Sequence, residues 1–258
     1  MILIDKLCYL SKLRYVNPME KFAFAMLTLI FCMVSRSIVM GLFVIVLNSW
    51  LTVVRGGISA KRYRNLMMVP LVFLAMSTIA IVLNISKTPL DAFAIPIGSF
   101  FITGSRAGLL HGLRLAVTAL SAVSCLYFLS FNTPMTDILC VLRKLKVPPL
   151  MAELMLLIYR YIFILLDAAY YISTSQAARL GHKDFRTSLK SFGAMVQTLF
   201  LRAMKRSGSL YDAMEARCYD GEIRVLDENL PLNRFRCIII AVFELTLFGI
   251  TVFLRLHG

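Results

Sequence analysis

Long apolar runs separated by short cationic segments dominate this chain, and they restrict it to a narrow class of folds. Crossing a bilayer as a helix takes roughly 17–25 mostly apolar residues. Residues 22–34 and 38–54 form one apolar region broken at Ser35-Arg36-Ser37, which predicts two helices joined by a tight turn, the first starting near Pro18. Residues 66–84, 107–129 and 237–254 predict three more spans. In hydrocarbon every backbone N–H and C=O must be satisfied within the protein, so repeated spans of this length dictate helices. The chain is 59% hydrophobic and 16% charged, where a soluble domain carries about 25% charge. The expected fold class is an all-α membrane protein of about five transmembrane helices. Between the third and fourth spans, residues 85–106, rich in Pro, Gly and Phe, are expected to form a loop.

The formal net charge is +14. Nucleic acid is the usual partner of a basic protein, but here the hydrophobicity points to cytoplasmic membrane loops instead. With the N-terminus in the cytoplasm, 23 Lys and Arg fall inside and four outside (Arg36, Lys87, Arg106 and Arg255), with Arg114 in a span. That bias sets a multi-pass topology in the cell membrane, N-terminus in and C-terminus out. Residues 1–21 mix charges and lack a small-residue cleavage site, so no signal peptide is expected. Six cysteines without C-x-x-C spacing predict neither a zinc site nor a disulfide framework.

The chain thus divides into residues 1–130 with four spans, 131–233, and a last span in 234–258. The middle part is too long for a connecting loop and too patterned for disorder. Thr133-Pro134 suggests an N-cap and first-turn proline. Ile138, Leu139, Val141, Leu142 and Leu145 follow as a helical stripe, ended by Pro148-Pro149. A second helix is predicted over 150–179. A third, with Asp184 as N-cap, is predicted to run towards Arg217 with a kink near Ser207-Gly208. Then comes an acidic stretch leading through Pro231 back to the membrane. These three amphipathic helices are expected at the cytosolic membrane interface, not in a free globular domain.

Catalytic chemistry has little support. His111, His182 and His257 lack Cys, Asp or Glu partners at ligand spacing, and there is no phosphate-binding G-x-x-x-x-G-K-[ST] or G-x-S-x-G motif. The spans offer only His111, Arg114 and Glu244. An intramembrane carboxylate is a functional candidate by default, yet one acid without a polar stripe makes a poor ion path. Glu244 is expected to pair with Arg114 or another polar group between helices, or to be protonated. Neither cofactor nor bound metal is expected, and the chain is not expected to be an enzyme.

Two short matched segments carry clearer logic. Ala178-Arg179-Leu180 and Ala216-Arg217-Cys218 each end an amphipathic helix, 38 residues apart, and each is followed by a glycine, Gly181 or Gly221, suited to a helix C-terminus. Arginine presents a rigid planar fork that binds carboxylates bidentately and keeps its charge when partly buried. The small Ala178 and Ala216 let such a tip enter a groove. A lone Ala-Arg pair is most often solvated surface; its repetition at matched helix ends is what singles it out.

At these residues the chain resembles the transmembrane T component of energy-coupling-factor (ECF) transporters, in particular the cobalt-type CbiQ members. Ile4-Asp5 and the run Arg14-Tyr15-Val16-Asn17-Pro18-Met19-Glu20-Lys21 are similar to the start of those members, and the likeness extends over nearly the whole chain. The family's signature is two Ala-Arg-Gly tripeptides at the ends of coupling helices. Ala178-Arg179 and Ala216-Arg217 match their first two positions, while Leu180 and Cys218 replace the glycines. The resemblance implies a scaffold that couples ATP hydrolysis by cytosolic ATP-binding-cassette subunits to movement of a separate substrate-binding membrane subunit. The transported substrate would be cobalt or nickel, with a vitamin or a self-contained permease as alternatives. It implies ATPase contacts at Ala178, Arg179, Ala216 and Arg217. The apolar face of Leu154, Leu157, Ile158, Tyr161 and Leu165 would meet the substrate-binding subunit.

Overall fold

The computed structural model describes residues 3–82, 84–86, 93–97, 100–104, 106–221 and 233–257. The expected acidic stretch through Pro231 and the external C-terminus at Gly258 lie outside the described residues. The chain forms two compact units, residues 1–138 with 229–258, and residues 139–228.

The first unit is a helical bundle. Helix α1 (Leu3–Leu10) and a 3-10 turn (Lys12–Tyr15) lead into α2 (Pro18–Ser35). Then come α3 (Ile38–Trp50), continued by a π-helical turn (Leu51–Arg55), and α4 (Ala60–Val82). After the loop region come α5 (Arg106–Asn132) and, near the C-terminus, α9 (Arg234–His257). Helix α5 is the hub, packing on α1, α2, α3 and α4, while α9 packs on α2. Every span expected from the apolar runs is present. Helix α4 begins six residues before its apolar run, because Lys61, Arg62 and Arg64 extend the helix as a cationic first turn.

The region expected to be a loop holds a small antiparallel sheet: β1 (Asn84–Ser86), β2 (Phe93–Ile97) and β3 (Phe100–Gly104), in the order β1-β3-β2. Ile95 pairs with Ile102, and Ile85 pairs with the same residue from the other side. Aromatic and β-branched residues bounded by Gly and Pro favour strands, a local signal hidden by the irregular composition.

Small polar side chains knit the spans together. Thr28 of α2 donates to Glu244 of α9 at 2.8 Å. Cys32 meets Ser121 of α5 at 2.7 Å, and Asn48 of α3 donates to Ser124 at 3.2 Å. All are buried, and interhelical hydrogen bonds between small residues are the usual adhesive where lipid removes the hydrophobic driving force. Glu244 is therefore paired with Thr28, while Arg114 is exposed. The free cysteines include Cys8, Cys32 and Cys125 in the core, with Cys218 exposed.

The motif Asn17-Pro18-Met19-Glu20-Lys21 has a structural explanation. Asn17 caps α2 through Met19 N at 2.9 Å, with Pro18 in the first turn. Glu20 Oε1 accepts from Asn233 N at 3.0 Å, just before α9, whose free N–H groups favour a carboxylate. Buried Lys21 donates to the carbonyls of Asn132, Leu13 and Arg14. The run thus joins the starts of α2 and α9 to the end of α5. Ser11 adds a bond to Asn132 Oδ1 at 2.7 Å. Gly56 leaves no room for a side chain here: an added Cβ would stand 2.6 Å from Asn132 Oδ1.

The second unit is a helical hairpin. Helix α6 (Met135–Lys144) precedes α7 (Pro149–Ala178) and α8 (Phe185–Glu215). Thr133 does not cap α6: its buried Oγ1 has no hydrogen-bond partner among the described residues, and Pro134 O accepts the first helical bonds. Asp184 occupies the N-cap position of α8 without a side-chain bond, and α8 runs unbroken through Ser207-Gly208, where a kink was expected. Helix α7 is itself long and apolar enough to cross a membrane, giving six such helices among the described residues where five were expected. Its hydrophobic positions, read as one face of an interfacial helix, continue around the helix. Together these helices make the chain a multi-pass membrane protein.

Candidate functional site: two arginine-tipped helix ends

The two arginine segments are built alike. Helix α7 ends at Ala178, and Arg179 N bonds Gln176 O at 3.1 Å. Leu180 N bonds Ala177 O at 3.1 Å, and Gly181 N reaches back to Gln176 O at 2.8 Å. At the end of α8, Arg217 N bonds Met214 O at 3.0 Å, Cys218 N bonds Glu215 O at 2.9 Å, and Tyr219 N reaches Met214 O at 3.1 Å. Each residue in one tip corresponds to the residue 38 positions later in the other. Both close with the five-residue back-bond that satisfies orphan carbonyls at a helix end.

The left-handed position in each tip is the third residue of the segment. Leu180 has φ 58° and Cys218 has φ 59°. That backbone favours glycine, since a Cβ there costs roughly 1–2 kcal/mol. The glycines following the arginines, expected to end the helices, differ: only Gly181 takes part, through its closing bond to Gln176 O. Gly181 is needed for close approach: an added Cβ would stand 2.8 Å from Gln176 O and 2.9 Å from Ser191 Oγ. Gly221 has no counterpart role, because Tyr219 stands where Gly181 does.

Each tip is clamped by the other helix. Gln176 donates to Ser191 O at 2.8 Å, and Ser191 Oγ donates to Gly181 O at 2.9 Å. At the second tip, the Tyr219 hydroxyl donates to Glu153 Oε2 at 2.7 Å, near the start of α7. The bond to Glu153 holds the Tyr219 phenol above its ordinary range. Ser191 near the start of α8 marks one end of the hairpin and Glu153 near the start of α7 marks the other, so the helices run antiparallel. The two arginines stand at opposite ends of the pair, separated by roughly 45 Å of helix. Ala178, Arg179, Ala216 and Arg217 are all exposed, as is Leu180 at 70%.

The apolar face divides. Leu154 and Ile158 are exposed, whereas Tyr161 and Leu165 are half-buried and line a cavity between α7 and α8. A second exposed stripe, on α8, escaped the sequence reading: Phe185, Leu189, Phe192, Val196 and Phe200. Their spacing of three or four residues was the available signal. Among the described residues no cluster of His, Cys, Asp or Glu could hold a metal.

Residues 11–226 match the family model CbiQ, described as cobalt transport protein. The chain is 32% identical to an uncharacterized protein of Methanocaldococcus jannaschii, over 95% of this chain and 91% of that one. It is 28% identical to the cobalt transport protein CbiQ of Salmonella typhimurium, over 86% of this chain and 99% of that one. It is 29% identical to the energy-coupling factor transporter transmembrane protein EcfT of Ruminiclostridium cellulolyticum, over 55% of this chain and 58% of that one.

Proposed function

The chain belongs to the CbiQ cobalt transport protein family, and we propose that within it the protein is the membrane scaffold of an energy-coupling-factor importer for cobalt or nickel. Two cytosolic ATPase subunits take the arginine tips of α7 and α8 in grooves. When ATP closes the ATPases, the grooves move, the hairpin follows, and a separate substrate-binding membrane subunit is tilted or opened. The scaffold supplies no catalytic residue; it transmits motion. The observation that carries this reading is the pair of arginine tips with matching hydrogen bonds at opposite ends of one antiparallel hairpin. One hairpin with two equivalent plugs suits two like partners.

In this reading α7 does not cross the bilayer, despite its length. Eleven Lys and Arg residues lie from Arg179 to Arg236; a crossing by α7 would move them to the outer side, against the bias of basic residues to the cytoplasm. With α7 at the interface the N-terminus is cytosolic and five helices span.

Arg179→Ala and Arg217→Ala test the reading. Truncating one partner of a buried charge pair costs about 2–5 kcal/mol. Each change should weaken ATPase recovery in pull-downs on the scaffold, and the double change should abolish cobalt uptake with the protein still in the membrane. Glu should be worse than Ala, and Lys intermediate because it lacks the fork. Wild-type uptake and normal ATPase recovery in the double variant would refute the assignment.

A further inference from the structure

The hairpin carries a second charged feature that docking through its tips leaves unused. Between α7 and α8 lies a cavity of about 600 Å³. Arg160 lines it from α7, and Arg202, Lys205 and Arg206 line it from α8, all within about one turn of that helix. No carboxylate lines it among the described residues, and no described residue forms an ion pair with these four cations. Four uncompensated positive charges converging on one cavity make a site for an anion. The remaining wall is mostly apolar, with Leu157, Ile164, Leu165 and Leu210 beside Tyr161 and Ser209. Beside the cations on α8, Phe200, Leu201 and Met204 are exposed. Cations interleaved with large apolar side chains over a few turns are the pattern of a helix lying at a bilayer surface.

We propose that this cavity binds the headgroup of an anionic phospholipid, with Arg160, Arg202, Lys205 and Arg206 on the phosphate and the acyl chains along Ile164 and Leu165. A phosphate offers oxygens in the geometry that arginine forks grip bidentately. The apolar wall has no use for a free inorganic ion, whereas a diacyl lipid covers it. Bound lipid would hold the hairpin at the membrane surface, at the level where a lever must bear on a neighbouring membrane subunit. Neither arginine tip lines it, although Arg160 also borders the adjoining cavity that holds Arg217.

The test uses the purified full chain in a non-ionic detergent. Thermal unfolding and native mass spectrometry are run with added phosphatidylglycerol, with phosphatidylcholine, and with inorganic phosphate at matched concentrations. Phosphatidylglycerol should raise the unfolding midpoint and appear as a retained adduct, while the other two should do neither. The double variant R202Q/R206Q removes two exposed cations, each worth about 1 kcal/mol at an anionic surface, so its apparent lipid affinity should fall about thirtyfold. R202K/R206K keeps the charge and loses only the fork, and should fall between. Equal stabilisation by phosphate alone would make this a site for a soluble anion and overturn the proposal. Equal binding of phosphatidylcholine, or unchanged lipid affinity in R202Q/R206Q with its helical circular dichroism intact, would overturn it as well.

Discussion

Lys21 Nζ lies 2.9 Å from the carbonyl oxygen of Asn132, joining the first turn of α2 to the last residue of α5. The lysine is 3% exposed and also donates to Leu13 O and Arg14 O. A helix C-terminus carries free carbonyls and partial negative charge, so a buried ammonium is well placed there. Neighbouring Glu20 serves the opposite pole, the N-terminal side of α9. Two adjacent residues of opposite charge thus satisfy two helix ends of opposite polarity.

Lys21→Met keeps the length of the side chain and removes the donor. It leaves carbonyls unsatisfied in a buried place, a loss of about 3 kcal/mol. The expected result is a clear drop in the thermal midpoint of the detergent-solubilised protein, larger than for Lys12→Met, whose side chain is exposed. Equal midpoints for the two variants would contradict this role.

The left-handed residues allow an opposite prediction. Leu180→Gly and Cys218→Gly each remove a Cβ from a backbone that disfavours it, and should relieve about 1 kcal/mol. Both changes are on exposed residues and leave the arginines in place. The variants should unfold at equal or higher temperature and retain ATPase recovery. Loss of ATPase recovery with stability raised would show that Leu180 or Cys218 itself contacts the partner.

Much of this molecule was legible in its sequence, because hydrocarbon forces regular helices and apolar length reports them directly. The spans of α2, α3 and α5 and the matched arginine ends follow from run length and spacing. What escaped depended on three-dimensional pairing. Leu180 and Cys218 show nothing in composition that marks a left-handed backbone. Thr133 and Asp184 carry good capping side chains, yet neither uses them. Glu244 could not be assigned to Thr28 across 216 residues from periodicity alone. The extent of α7 follows from its bounding prolines and small residues, whereas its apolar residues lie on several faces and a single amphipathic stripe does not express them.

The second tip should respond to alkaline pH. The hydrogen bond to Glu153 raises the Tyr219 phenol above its ordinary range. A group with a raised folded value contributes fully below its unfolded value and loses the contribution as pH rises through the folded one. The clamp is therefore intact through neutral pH and released only in alkali. Ultraviolet phenolate titration should show a late-ionising component that Tyr219→Phe diminishes by one phenol. A late component undiminished by Tyr219→Phe would rule the clamp out.

Topology separates the two possible placements of α7. A cysteine at Lys183, between α7 and α8, is introduced in a Cys218→Ser background. An interfacial α7 places it in the cytosol, so a membrane-impermeant maleimide should label it only in inverted vesicles. A cysteine at Gly258 should label only from outside. Labelling of Lys183→Cys in intact cells would mean that α7 crosses, and the five-span reading would fall.

The lever surface makes the last prediction, and the division of its residues sharpens it. Leu154 and Ile158 are exposed, so no neighbour within the hairpin accounts for their being apolar. Contiguous exposed apolar residues usually mark interaction sites. Tyr161 and Leu165 face the cavity between α7 and α8. Asp at Ile158 should therefore release the substrate-binding subunit while the ATPases stay attached through Arg179 and Arg217. Asp at Leu165 should instead bring a carboxylate among Arg160, Arg202 and Lys205, and weaken anionic lipid binding before it weakens either protein contact. Blue-native gels of solubilised complexes report the subunits, and native mass spectrometry reports the lipid. Retention of the substrate-binding subunit by Ile158→Asp at normal expression would place Ile158 against lipid. The exposed stripe of α8, from Phe185 to Phe200, would then be the remaining surface for that partner.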